Sequence, residues 1–322
     1  MTAPYLIRLA FMSLAALIVV QFGVGVIVTM LAPRAIRSSL RLRPSLAARR
    51  LLILRLAPAG VAIFVVIFFC IPSYLWLEPF AVEQVDLPCF GLAALALAAW
   101  GFSSARAARG WHDSVRYLRA CRSAGRETSL LPNHAPVWLT DHAGPAVALA
   151  GILRPQVVVS RAAAGALTPQ QLDAALLHER AHAQSRDNLK RLVMLLAPSV
   201  LPLHRASAAV EAAWRRSAEC AADDRAVAGD PLRALSLAEA LLRVSRLEHE
   251  AYLPSLVTCL STPGDHHLST RVDRLLNPAQ TSAVLPRRIP RPLSMAFSVG
   301  LLTTLLAPSS LRVIHRLLER LI

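Results

Sequence analysis

The chain has 322 residues, 55% of them hydrophobic and only 17% charged, with a mean hydropathy of +0.46. That apolar excess excludes an ordinary soluble domain and a disordered chain, and five cysteines, an odd number, supply no disulfide framework. The net charge of +15 comes almost wholly from arginine, Lys190 being the only lysine, so the chain either binds nucleic acid or lies on the cytoplasmic side of a membrane.

About 20 apolar residues carry a helix across a bilayer, and four segments qualify. Residues 9–31 and 56–77 contain no charge, 87–104 is just long enough, and 292–311 stands near the C-terminus. The first run is longer than a signal-peptide core and other spans follow it, so it reads as a span. The loop expected over 32–50 carries Arg34, Arg37, Arg41, Arg43, Arg49 and Arg50, whereas the next connection has Glu78, Glu83 and Asp86 and no base. Arginine concentrates in short cytoplasmic loops, which puts the N-terminus outside and the region 105–291 in the cytoplasm. Residues 312–322 (RVIHRLLERLI) read as a basic amphipathic tail suited to the bilayer surface. Topology thus accounts for the charge, no DNA-reading motif is present, and no direct nucleic-acid binding is expected.

Within 105–291 a basic helical stretch leads to β-prone pieces around 137–140, 146–149 and 156–160, and then to helices. Thr168, Pro169 and Gln171 form a helix start with a cap, a first-turn proline and a capping-box partner. The helix so opened contains His178, Glu179 and His182 as HExxH. One turn separates the histidines, so both imidazoles face one Zn²⁺, and Glu179 stands where it can take a proton from water. A catalytic zinc needs a third protein ligand. Glu219 is the best-placed residue, with Glu211 as the substitute, and Asp223, one turn beyond Glu219, is positioned to hydrogen-bond a ligating imidazole. Arg271, His204, His266 and His267 are the candidates for an oxyanion or substrate contact. The strand at Gln156, Val157, Val158 and Val159 is a candidate edge for an extended substrate. The apolar stretch 192–203 contains Pro198 and Pro202 and is too short to cross, so it is expected to dock as a buried or interfacial helix.

HERAH, then Asp187 and Asn188, then Glu219-x-x-x-Asp223 resembles the BlaR/MecR-type membrane metallopeptidases. GILRPQVVVS before the helix, HLSTRVDRLLNP after it, and the order of spans are further likenesses. The resemblance covers nearly the whole chain, but only the two metal motifs are specific. It implies a gluzincin whose zinc is held by His178, His182 and Glu219. It also implies a bacterial-type plasma membrane location and a protein substrate such as a DNA-binding repressor or the chain itself. The penicillin-binding domain that follows the fourth span in the antibiotic sensors is not matched here, so β-lactam sensing does not carry over. Two other readings stand beside this one: a quality-control protease resembling the HtpX or CAAX-type enzymes, and a catalytically silent membrane scaffold. The expected fold is an α-helical membrane protein with four spans plus a cytoplasmic α+β gluzincin-type metalloprotease domain. Its expected divisions are 1–104, 105–291, 292–311 and 312–322.

Overall fold

A computed structural model describes residues 3–77, 86–132, 134–142, 144–199, 204–247, 254–260 and 267–277. Three helices in its N-terminal third are long and apolar enough to cross a membrane: Tyr5–Ser39, Pro44–Trp76 and Leu87–Ser123. The expected fourth span and the tail after it lie outside the described residues.

Helix α1 (Ala3–Ser39) and helix α2 (Pro44–Val65) are joined by a turn of a few residues, so the segment expected as a loop over 32–50 is mostly helical. Its arginines therefore sit on helical extensions of the two spans. Helix α2 widens into one π-helical stretch at Val66–Cys70 and continues as α3 (Ile71–Leu77). Pro72 explains the widening: it lacks an N–H and its ring crowds the carbonyl one turn back, which a local π turn relieves. The third apolar run and the basic stretch after it form one helix, α4 (Leu87–Ser123).

Beyond α4 the chain folds as α+β. Five strands form a mixed sheet in the order β1-β2-β4-β3-β5: β1 (Gly125–Thr128), β2 (Val137–Thr140), β3 (Val147–Ala150), β4 (Gln156–Ser160) and β5 (Thr258–Cys259). Strands β3 and β4 form a hairpin closed by GILRP. Gly151 has φ +93°, and a Cβ there would stand 3.0 Å from the Arg154 carbonyl oxygen, so this turn requires glycine. Strand alternation then covers both faces. Val147 and Val159 join a core with α6 (Pro169–Ser185), α9 (Pro231–Leu247) and α10 (Leu268–Leu276), whereas Ala148, Ala150 and Val158 meet Tyr117 and Cys121 of α4. A helix continuous with the third span thus forms one wall of the α+β unit.

The short helix α5 (Arg161–Ala166) leads into α6. The capping box is formed, with Gln171 N–H donating to Thr168 Oγ1 at 3.3 Å and Thr168 N–H donating to Gln171 Oε1 at 3.1 Å. The helix stops at Arg186, which adopts the left-handed conformation (φ 54°, ψ 43°) and turns the chain at once into α7 (Asp187–Leu196). Helix α8 (His204–Val227) then packs against α6 and against α2. Ala48 and Leu51 of α2, Ala32 of α1 and Met194 of α7 form one buried cluster with Val210, Ala213, Trp214 and Ala218 of α8.

Two buried polar side chains fasten α7 to the apolar helices. Arg55 of α2 donates through Nη2 to the carbonyls of Met194 (3.0 Å) and Ala197 (3.1 Å), satisfying acceptors that the end of α7 leaves open. Gln21 of α1 donates to the Pro198 carbonyl at 2.7 Å and accepts from the Trp100 indole of α4 at 3.2 Å. The stretch expected to dock does so over its described part, residues 192–199.

Candidate metal centre

Helix α6 puts His178 and His182 one turn apart, fully buried, with their Nε2 atoms 3.1 Å from each other. Helix α8 brings Glu219 to the same point, its Oε2 lying 3.5 Å from each of those nitrogens. These three atoms are the only group of three or more His, Cys, Asp or Glu ligand atoms among the described residues spaced to hold a metal ion. Zinc ligands about 2.0–2.1 Å from the ion in tetrahedral geometry stand roughly 3.3–3.4 Å apart. The observed edges of 3.1, 3.5 and 3.5 Å match one face of such a tetrahedron, so the residues fit zinc with one position left over.

The outward ring nitrogens are also engaged. His178 Nδ1 lies 2.9 Å from Asp223 Oδ1, and His182 Nδ1 lies 2.7 Å from Asp187 Oδ2. A carboxylate on Nδ1 favours the tautomer with its proton there, which leaves the Nε2 lone pair pointing into the cluster. Asp223 is anchored in turn by Arg271 of α10, with Nε at 2.9 Å and Nη2 at 2.8 Å. Asp187 is anchored by Lys190 Nζ at 2.7 Å. Asn188, beside Asp187, donates to the carbonyls of Leu149 (3.1 Å) and Gly151 (2.8 Å), so the α6–α7 corner is tied to the β3–β4 hairpin.

Electrostatics follow from this packing. Burial alone lowers an imidazole pKa, but Glu219 and Asp187 outweigh it for His182, whose pKa is pushed up to about 10, and Asp223 and Glu219 raise that of His178. Burial raises carboxyl groups, yet the imidazoles and Arg271 hold Glu219 well below the usual range, and Arg271 with His178 does the same for Asp223. Glu179 is different. It is fully buried, neither carboxylate oxygen accepts a hydrogen bond among the described residues, and burial raises its pKa, opposed by His178 and His182. A buried carboxylate left without a hydrogen bond is the exception in folded proteins, and it is the expected state of a base kept free for a water molecule.

The structure places the other sequence candidates elsewhere. Arg271 is buried, and its guanidinium is committed to Asp223, to the Leu260 carbonyl (3.0 Å) and, at 3.4 Å, to Glu219, so it positions the ligand shell rather than facing a reacting carbonyl. His204 begins α8, four turns before Glu219 and about 22 Å along the axis, and is exposed, so it does not join the cluster. Glu211 instead faces Arg55 at 3.9 Å. His267 precedes α10, and His266 lies outside the described residues. Gln156, Val157, Val158 and Val159 do not form an edge strand. Strand β4 lies between β2 and β3, with Val158 and Val159 paired on both sides and Gln156 and Val157 paired with β3, and the edges of the sheet among the described residues are β1 and β5.

Sequence reasoning assigned Asp187 no contact with His182. The signal was faint: an aspartate five residues after the second histidine reaches back only because Arg186 takes a conformation that non-glycine residues rarely adopt. In comparisons with known proteins, no family model matches the chain and no curated protein matches it.

Proposed function

We propose that this protein is a membrane-anchored, zinc-dependent endopeptidase of gluzincin type. In this reading the chain has four spans, and its α+β unit faces the cytoplasm. The observation that carries it is the triangle of His178 Nε2, His182 Nε2 and Glu219 Oε2 at tetrahedral spacing, with the unpartnered Glu179 carboxylate on the same helix. Orientation rests on the arginines clustered where α1 and α2 meet, on the side of the bilayer to which the α+β unit packs. The substrate is a protein segment close to the membrane, a transcriptional repressor or the chain itself being the classes that the motif resemblance suggests.

Zinc bound at this triangle supplies Lewis acidity toward a water and the scissile carbonyl. The chain supplies the rest. Asp223 and Asp187 fix the two imidazole tautomers, and Arg271 and Lys190 fix those carboxylates. Glu179 takes a proton from the attacking water and returns it to the leaving amine, a transfer worth about 10²–10⁴ in rate.

Purified full-length protein in detergent should hold about one zinc per chain. Glu179→Gln should keep the metal and lose turnover of a co-expressed substrate, whereas Glu219→Ala should lose both. A wild-type chain without metal, or a Glu179→Gln chain that still cleaves, defeats the reading.

A further inference from the structure

A second polar site lies behind the metal cluster. The first turns of α2, the α6–α7 corner and the α2-facing side of α8 line a cavity of about 220 Å³. Its walls carry the guanidinium groups of Arg49 and Arg225, the Lys190 ammonium and the Ser45 hydroxyl, while Arg225 Nη1 and the Ser185 hydroxyl already donate to the Ala181 carbonyl. The single carboxylate in the wall, Asp187, already has its oxygens on His182 and Lys190. Three cations against one anion leave a net charge of about two positive units around the cavity.

Charge and size indicate what this space accepts. Trp214 lines the cavity but is 1% exposed and its indole nitrogen is closed to a water-sized group, so it supplies wall rather than a donor. The volume, roughly seven water molecules' worth, exceeds what a phosphoryl group needs and falls below the 300–1,000 Å³ of ordinary ligand pockets. Between the polar groups, on the same faces of α2 and α8, Leu52, Ala48 and Ala218 add an apolar part to the lining. A headgroup with a short apolar neighbour therefore fits better than an extended peptide.

We propose that this cavity binds a phosphoryl anion, its oxygens held by Arg49, Arg225 and Lys190. Arg49 lies seven residues before the charge-free run 56–77, so the site stands where an anionic phospholipid headgroup would enter from the bilayer surface. A free phosphate offers the same chemistry.

The test uses full-length protein, delipidated in a neutral detergent. In one arm inorganic phosphate is titrated at constant ionic strength and thermal unfolding is followed; in the other, phosphatidylglycerol or phosphatidylcholine is added and bound lipid is counted by native mass spectrometry. Saturable stabilisation by phosphate, retention of one phosphatidylglycerol per chain with no phosphatidylcholine, or both, is expected. The lipid alone identifies a headgroup site, and phosphate alone a free-anion site. Arg49→Ser should weaken binding about tenfold, and Arg37→Ser, on the neighbouring helix and outside the cavity, should leave it unchanged. Binding of neither probe, or equal loss in Arg37→Ser and Arg49→Ser, overturns the proposal.

Discussion

Asp223 serves two partners at once, accepting from Arg271 through both oxygens and standing 2.9 Å from His178 Nδ1, in a place with no access to water. Replacing it with asparagine takes from the buried guanidinium the carboxylate that accepts two of its N–H groups and leaves only Glu219, 3.4 Å away, as a counter-charge. Breaking such a pair costs about 3–5 kcal/mol, and loss of an outer carboxylate weakens metal binding about 10- to 100-fold. Asp223→Asn should therefore show both a lower unfolding midpoint and metal lost to a weak chelator; a variant that loses neither contradicts the anchoring role. The pH dependence has a definite sign. The pKa of His182 is raised from its ordinary 6.5 to about 10, so its contribution to the metal-free fold is complete below about pH 6.5 and is lost as pH rises through about 10. Zinc needs the neutral imidazole and must displace that proton, so its binding strengthens over the same interval. The gap in unfolding temperature between zinc-loaded and chelated protein should widen from pH 6 to 8.5, and a narrowing gap contradicts the assignment. The His178, His182 and Glu219 cluster was legible because HExxH and ExxxD are helix-face patterns, which period 3.6 makes readable. The Asp187 contact was not, since it depends on one left-handed residue, and Arg271 was misplaced because an arginine's partners are set by tertiary packing.

Among the elements, α7 shows how a marginal helix is held. It has ten residues, too few for stability in isolation, and its last carbonyls are capped by a side chain from α2, 139 and 142 positions away in the chain. Arg55→Leu keeps an apolar stem but orphans those carbonyls and the nearby Glu211. It should lower stability by about 2–5 kcal/mol and expose the α6–α7 corner to limited proteolysis, whereas wild-type-like resistance would show that the caps are dispensable. Three apolar helices were readable from hydropathy, yet their lengths were not. Hydropathy sees the part that dissolves in lipid, while the helical hydrogen bonding of α1, α2 and α4 continues through arginine-rich sequence that lipid excludes. Strands β2, β3 and β4 were placed close to their true positions by β-branched runs and turn residues, whereas β1 ends a basic stretch that reads as helical and β5 carries no pattern of its own. Their order was not: β4 is central because β2 pairs with it in parallel across an intervening hairpin, a long-range choice that no local pattern records.

At the scale of the whole molecule, spans and α+β unit share their cores. Helix α4 closes one face of the sheet, and α1 and α2 supply Ala32, Ala48 and Leu51 to the cluster around Trp214, the same helix that delivers Glu219. A fragment beginning at residue 86 would present that cluster to water. Burying a large side chain contributes about 1.5–3 kcal/mol, so the loss of several such contacts outweighs the margin of an ordinary domain. The fragment should aggregate or bind a hydrophobic dye and fail to hold zinc; a soluble, zinc-loaded monomer would prove the unit autonomous.

The short α7 also sets a distance. Its first residue, Asp187, touches the histidine cluster, and its last turn meets Arg55, the charge immediately before the apolar run 56–77. Ten residues of helix measure about 15 Å, so the cluster lies no farther than about that from the end of α7 that Arg55 holds. A folded domain of 100 residues has a radius of gyration near 13 Å and a diameter near twice that, too thick for a gap of that size. On the proposed function, clearance would then select substrates as much as sequence: an extended segment near the apolar helices would reach the cluster, and a compact partner would not until part of it unravels.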